Sequence, residues 1–84
     1  MYEILLSGQA ERDLKRLSGD LFHRVVADIE SLSATPRPPG SRKLTGSGRV
    51  YRLRVSDYRI LYEIEDRARI VRIMRVRHRR EAYR

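Results

Sequence analysis

Tyr2 to Leu6 is a short aromatic and aliphatic run that predicts a strand. From Ser7 the apolar period lengthens. Ala10, Leu14 and Leu17 recur at helical spacing, Glu11, Arg12, Lys15 and Arg16 fill the other face, and the Ser7 hydroxyl offers an N-cap. Ser18-Gly19-Asp20 breaks this helix and caps a second. The stripe of the second helix is Phe22, Val25, Val26, Ile29 and Leu32, with His23, Arg24, Asp28 and Glu30 outward. Thr35 stands before Pro36, which disfavours helical geometry, so this helix is expected to end near Ala34. The two helices read as an antiparallel hairpin.

A loop is expected from Thr35 to Gly48, marked by Pro36, Pro38, Pro39 and glycines at 40, 46 and 48. Beyond it the period becomes 2. Tyr51, Leu53 and Val55 share one face of a strand, and Arg52 and Arg54 share the other. Ser56-Asp57 predicts a short turn, Tyr58 to Ile64 a second strand, and Ile70 to Val76 a third with Arg72 and Arg75 interleaved. The tail from Arg77 to Arg84 is basic and lacks a core pattern. The expected fold class is therefore α+β in the order β-α-α-β-β-β. A helical hairpin would pack on one face of a small, mainly antiparallel sheet, as one domain spanning 1–84.

Size and composition narrow the function. A chain of 84 residues buries only about 60–65 % of its unfolded surface, too little for a large cofactor pocket. With no cysteine there is no disulfide framework, thiolate metal site or cysteine nucleophile. The N-terminus lacks a basic leader, and no apolar run approaches the ~20 residues of a membrane span, so a cytoplasmic protein without a membrane partner is expected. The 19 Lys and Arg outnumber the 11 Asp and Glu for a net charge of +8, and all but Lys15 and Lys43 of these cations are arginine. Genome composition accounts for much of that preference, but not for its placement. Residues 1–48 carry a net +1 and residues 49–84 a net +7. An electropositive surface for a polyanion accounts for the asymmetry.

Familiar catalytic constellations are missing: no Gly-rich phosphate loop, no paired histidines at metal spacing, no acid/base carboxylate pair. His23 reads as a solvated helix residue, and the carboxylates as helix-surface or turn residues. What remains is arginine on strands. Arg52 and Arg54 share a strand face, Arg59 sits across the turn, and Arg72, Arg75 and Arg77 follow on the last strand. Ordinary edge charge explains one such pair. So much like charge on one small sheet repels itself unless an anion binds. In the tail, His78 can exchange protons near neutral pH and Tyr83 can stack on a base or donate a proton, although a frayed basic terminus has the same composition.

Three segments carry a resemblance: Lys43-Leu44-Thr45-Gly46, the run from Tyr51 through Val55-Ser56-Asp57-Tyr58-Arg59 to Ile64, and Val76 to Tyr83. Together they resemble the RelE/ParE superfamily of toxins from toxin–antitoxin systems, over nearly the whole chain. Ser56 departs from the glycine common in the family, and the stop at Arg84 implies that any C-terminal helix is minimal. The resemblance to the RelE branch implies a metal-independent, cofactor-free endoribonuclease that cuts mRNA in the ribosomal A site, with the 2′-hydroxyl attacking the adjacent phosphate. By resemblance Arg52 and Arg54, with Arg49 and Arg77, hold the RNA backbone. Arg59 supports the scissile phosphate, Arg79 stabilises it or donates a proton, Tyr83 orients the substrate, and His78 transfers a proton. No general base is evident. The expected partners are a cognate RelB-like antitoxin and, through the antitoxin complex only, operator DNA. Any part of Leu14, Leu17 and Val25 left uncovered would be an antitoxin groove. A ParE-like DNA gyrase inhibitor and a basic nucleic-acid-binding module without catalysis are the alternatives.

Overall fold

The computed structural model describes residues 1–44, 46 and 48–82. Strand β1 (Glu3–Leu6) leads into helix α1 (Gly8–Lys15) through Ser7, whose Oγ accepts from the Ala10 N–H at 3.0 Å and so caps the helix as its sequence position predicts. Helix α2 (Gly19–Ser31) follows. After the proline loop come β2 (Arg42–Lys43), β3 (Val50–Val55), β4 (Tyr58–Glu65), β5 (Ile70–His78) and a short α3 (Arg79–Ala82).

The five strands form one sheet in the order β1-β5-β4-β3-β2, with β1 parallel to β5 and the other neighbours antiparallel. One face is the core. Leu53, Val55, Ile60, Tyr62, Ile64, Val71, Ile73 and Val76 cluster with Ala10, Leu14, Leu17, Val25, Ile29 and Leu32 from the helical segment. Leu14, Leu17 and Val25 are thus core residues. Among the described residues the large apolar side chains left exposed are Met1, Leu5 and Leu6. Among the described residues no helix is long and apolar enough to cross a membrane.

The structure adds to the expected pattern in four places. Helix α2 ends at Ser31, short of Ala34, because Ser33 is diverted to β1: its carbonyl accepts from the Tyr2 N–H at 2.8 Å and its Oγ donates to the Tyr2 carbonyl at 2.6 Å. The expected loop contains β2, which pairs Arg42 with Arg52 and Lys43 with Tyr51. Two polar residues carry no apolar alternation, so no pattern announces such a strand. The expected tail opens as strand, with Arg77 and His78 completing β5, and continues into α3, tied down where the Arg79 N–H donates to the Asp57 carbonyl at 2.7 Å.

The fourth addition is a β-bulge. Tyr62 pairs with Ile73 but Leu61 pairs with Arg75, leaving Met74 as an extra residue in β5. Ile73 and Val76 both reach the core although they stand three apart, a spacing that strict alternation forbids.

Candidate functional site

The face of the sheet away from the core is where the second-half charge collects. Leu53 and Val55 point into the core, so Arg52 and Arg54 point away from it. Register then sets the arginines against one another. Arg54 is opposite Arg59 on β4, and Arg59 is opposite Arg77 on β5, so three guanidinium-bearing positions line up across three adjacent strands. Arg52 lies one pleat away and is opposite Arg42 of β2.

Arg42, Arg52, Arg54 and Arg59 line a cleft of about 360 Å³ whose rim includes Gly40. Gly40 adopts φ +94°, a conformation that L side chains rarely reach. Arg59 is only 5 % exposed. Arginine does not lose its proton in proteins, and like charges directly opposite destabilise a sheet. Taking a guanidinium out of water costs several kcal/mol more. The Arg77 Nε is buried without a hydrogen-bond partner among the described residues, and a carboxylate oxygen of Glu81 stands 3.8 Å away. Such a row favours a multiply charged anion with oxygens spaced to meet several forks at once.

The remaining candidate residues fall elsewhere. His78 pairs with Tyr58 across β4 and β5, and their rings meet edge to face at 5.2 Å. Alternation puts it on the core side, with Val76, Leu17, Asp13 and Arg16 around it, and not on the face of Arg59 and Arg77. Its Nδ1 accepts from the Arg80 N–H at 3.2 Å. Arg79 begins α3 beside the β3–β4 turn, its guanidinium 4.0 Å from the Asp57 carboxylate, and with His78, Arg80 and Asp57 it lines a second cleft. Arg49 lies at the far end of β3, 3.7 Å from Glu65. Tyr83 lies outside the described residues. The structure therefore brings Arg52, Arg54, Arg59 and Arg77 together and sets Arg79 and His78 around the end of β5.

At the far end of the sheet Arg37 and Arg72 are matched. Arg37 forks onto Asp66 at 3.2 and 2.9 Å, donates from Nε to the Tyr51 hydroxyl at 3.0 Å and stacks over the Tyr51 ring at 5.3 Å. Tyr2 also donates to Asp66, at 2.7 Å. The bond from Arg37 and then that from Tyr2 hold the Asp66 carboxyl below its ordinary range. Tyr51 stacks on buried Tyr62, whose hydroxyl donates to the Pro36 carbonyl. Arg72 pairs with Glu65 at 3.2 Å.

Two residues of consequence escaped the reading from sequence. Arg42 gave no signal, because only strand pairing brings it to the cleft. Asp13 looked like a surface carboxylate yet is 7 % exposed. It accepts from Arg75 Nε at 2.9 Å, Arg75 Nη2 at 3.2 Å and the Val76 N–H at 2.9 Å. Burial pushes its carboxyl up, but the Arg75 and Val76 bonds outweigh that and hold it below the usual carboxylate range. One signal was available: Asp13 adjoins Leu14, on the buried side of α1. Among the described residues no group of three or more His, Cys, Asp or Glu could hold a metal ion.

A family model described as ParE toxin of type II toxin–antitoxin system, parDE, matches residues 4–83. No curated protein matches the sequence significantly. Among solved structures, the chain is similar to the toxin–antitoxin complex RelBE2 from Mycobacterium tuberculosis, with 30 % identity and a TM-score of 0.80 over 92 % of this chain and 96 % of that one. It is similar to the RelE–RelB complex from Pyrococcus horikoshii at 25 % identity, TM-score 0.83, over 93 % and 94 %. It is also similar to the RelB–RelE complex from Methanococcus jannaschii at 26 % identity, TM-score 0.78, over 94 % of each.

Proposed function

The chain belongs to the ParE toxin family of type II toxin–antitoxin systems, and we propose that it acts, as one domain spanning 1–84, as a ribosome-dependent mRNA endoribonuclease of the RelE kind. The observation that carries this reading is the in-register row Arg54, Arg59, Arg77 beside the cleft of Arg42 and Arg52. In the proposed reaction the 2′-hydroxyl oxygen bonds to the adjacent phosphorus and the bond to the 5′ oxygen breaks. The products are a cyclic phosphate and a free 5′-hydroxyl. Negative charge builds on the phosphorane oxygens, and preorganised cations lower the barrier most where that charge develops. Arg59 faces the scissile phosphate, with Arg54 and Arg77 on either side of it. Arg52 and Arg49 hold flanking backbone.

Arg79 stabilises the same phosphate, and His78 gives a proton to the leaving 5′ oxygen while the 2′-hydroxyl proton passes to water. Because His78 and Arg59 lie on opposite faces of the sheet, a substrate using both has to wrap around the end of β5. Tyr83 would orient the base. Several of the similar structures are complexes with RelB-type antitoxins, which supports a cognate antitoxin as the partner that silences this chain. Operator DNA would be reached through that complex. A cytoplasmic setting follows from the same reading.

The ParE description of the family model favours a second reading, inhibition of DNA gyrase. One experiment separates the two. The wild-type chain and Arg59→Ala are added to translating ribosomes for mapping of transcript ends, and in parallel to a gyrase supercoiling assay. Codon-phased cuts that disappear in Arg59→Ala support the nuclease. Intact transcripts with blocked supercoiling transfer the function to gyrase.

A further inference from the structure

The bulge in β5 decides which tail residue joins the arginine row. Past it, Ile60 pairs with Val76, Arg59 with Arg77 and Tyr58 with His78. Without the bulge, Met74 would take the place opposite Leu61 and each later partner would shift by one. Val76 would then stand opposite Arg59, and Arg77 would turn to the core side opposite Tyr58, because a slip of one residue exchanges the two faces of a strand. The alignment of Arg77 with Arg59 therefore depends on what holds the bulge.

Strand β1 does not hold it. The parallel ladder between β1 and β5 ends at Leu6 opposite Ile73, with the Ser7 N–H donating to the Ile73 carbonyl at 3.0 Å. Beyond that point no strand among the described residues lies on the β1-side edge of β5, and helix α1 takes over. Ser7 Oγ donates to the carbonyl of the bulged residue Met74 at 2.8 Å. Asp13 accepts the Val76 N–H, the first backbone donor after the bulge that the strand turns outward, and clamps the guanidinium of Arg75 between them. A nearly buried carboxylate meeting three N–H donors from two consecutive residues leaves the segment one low-energy register.

We infer that Asp13 is a positioning residue that fixes the register of β5 past its bulge and thereby holds Arg77 in line with Arg59. The consequence for activity rests on the reading of the arginine row as the site of an RNA phosphate. The register itself does not.

The test uses the full chain in two forms, Asp13→Asn and Asp13→Ala with Arg75→Gln. The second leaves no unpaired guanidinium against the helix, so it keeps the fold testable where the first is too unstable. Ile29→Val, a core change in α2 away from the row, serves as the stability control. Cross-strand NOEs between Arg59 and Arg77 and between Ile60 and Val76 report register. Titration with a short single-stranded 2′-deoxyoligonucleotide, which lacks the attacking hydroxyl, reports anion binding well below the melting temperature of each form. The expected result is loss of the Arg59–Arg77 NOEs with at least a tenfold weaker binding in the Asp13 variants, and neither change in Ile29→Val. Retention of both NOE pairs in the double variant overturns the inference. Lost NOEs in variants of a wild-type chain that binds no oligonucleotide uphold the positioning role and remove the phosphate site instead.

Discussion

The two ends of the sheet use the same residue in opposite ways. At the end built from Tyr2, Arg37, Tyr51 and Asp66, the Arg37 guanidinium meets a carboxylate on one side and an aromatic ring on the other. At the end built from Arg54, Arg59 and Arg77, guanidinium-bearing positions oppose one another in register. Arg37 gains from folding alone, because its partners come with the fold. The opposed row sets like charges directly against one another, which by itself weakens a sheet. Charge count cannot tell these ends apart, since both are rich in arginine. Register can.

Removing the centre of the opposed row is the strongest way to break this contrast. Arg59→Ala is expected to lower cleavage on translating ribosomes by about 10²–10³-fold, the usual loss when one preorganised group that meets developing charge is deleted. Counting transcript ends per unit time checks it. Cleavage at the wild-type rate would make the opposed end ordinary surface charge. Next in size is exposed Arg54 on β3. Arg54→Gln should weaken oligonucleotide binding by roughly tenfold, the worth of one charge-assisted hydrogen bond, and reduce the slope of log affinity against log salt by about one. Arg49, a flanking contact whose charge is partly met by Glu65 at the other end of the same strand, should change the slope by less. An equal slope change in Arg49→Gln would merge the two ends into a single RNA surface.

These contrasts also mark how far the sequence could be read. Periodicity located both long helices, β1 and the three-strand meander, because Val25, Ile29 and Leu32 or Leu53 and Val55 repeat at the period of their element. It also put Arg52 and Arg54 on one face. It could not supply register. That Arg54 faces Arg59, and Arg59 faces Arg77, depends on a two-residue turn and on a bulge in β5, beyond which the strand is bonded to Asp13, a residue on another element far away in sequence. Strand β2 was illegible for a related reason: Arg42 and Lys43 pair through their backbone and have no apolar pattern to betray them. His78 was legible as a titratable group, but its face was not, because the bulge intervenes.

The matched end should respond in the reverse sense. Arg37→Ala removes a fork to an exposed carboxylate and a ring contact, worth together about 1 kcal/mol at a surface site. A loss of that size lowers the melting temperature of a chain this small by roughly 4–8 °C. Cleavage measured below that temperature should stay at the wild-type rate. A loss of cleavage without a loss of stability would show that the matched end also touches substrate, and the division between the ends would fail.

The smallest effect concerns the backbone, which separates charge from turn strain as the source of the difference. Each end closes on a turn with a non-glycine residue in the left-handed region, Ser56 at φ 56° beside the opposed row and Arg69 at φ 56° at the matched end. Glycine relieves about 1–2 kcal/mol of steric cost there but returns up to about 1 kcal/mol through the entropy of the unfolded chain. Ser56→Gly and Arg69→Gly should therefore each stabilise by about 0.5–1 kcal/mol, measured by urea denaturation. Neither should alter anion binding, because neither side chain lies in the row. Equal gains would leave the pairing of charges as the only respect in which the ends differ. A gain at Ser56 well above that at Arg69 would mean that strain is concentrated beside the arginine row, where Asp57 holds the start of α3, and that the site is poised by its backbone as well as by its charge.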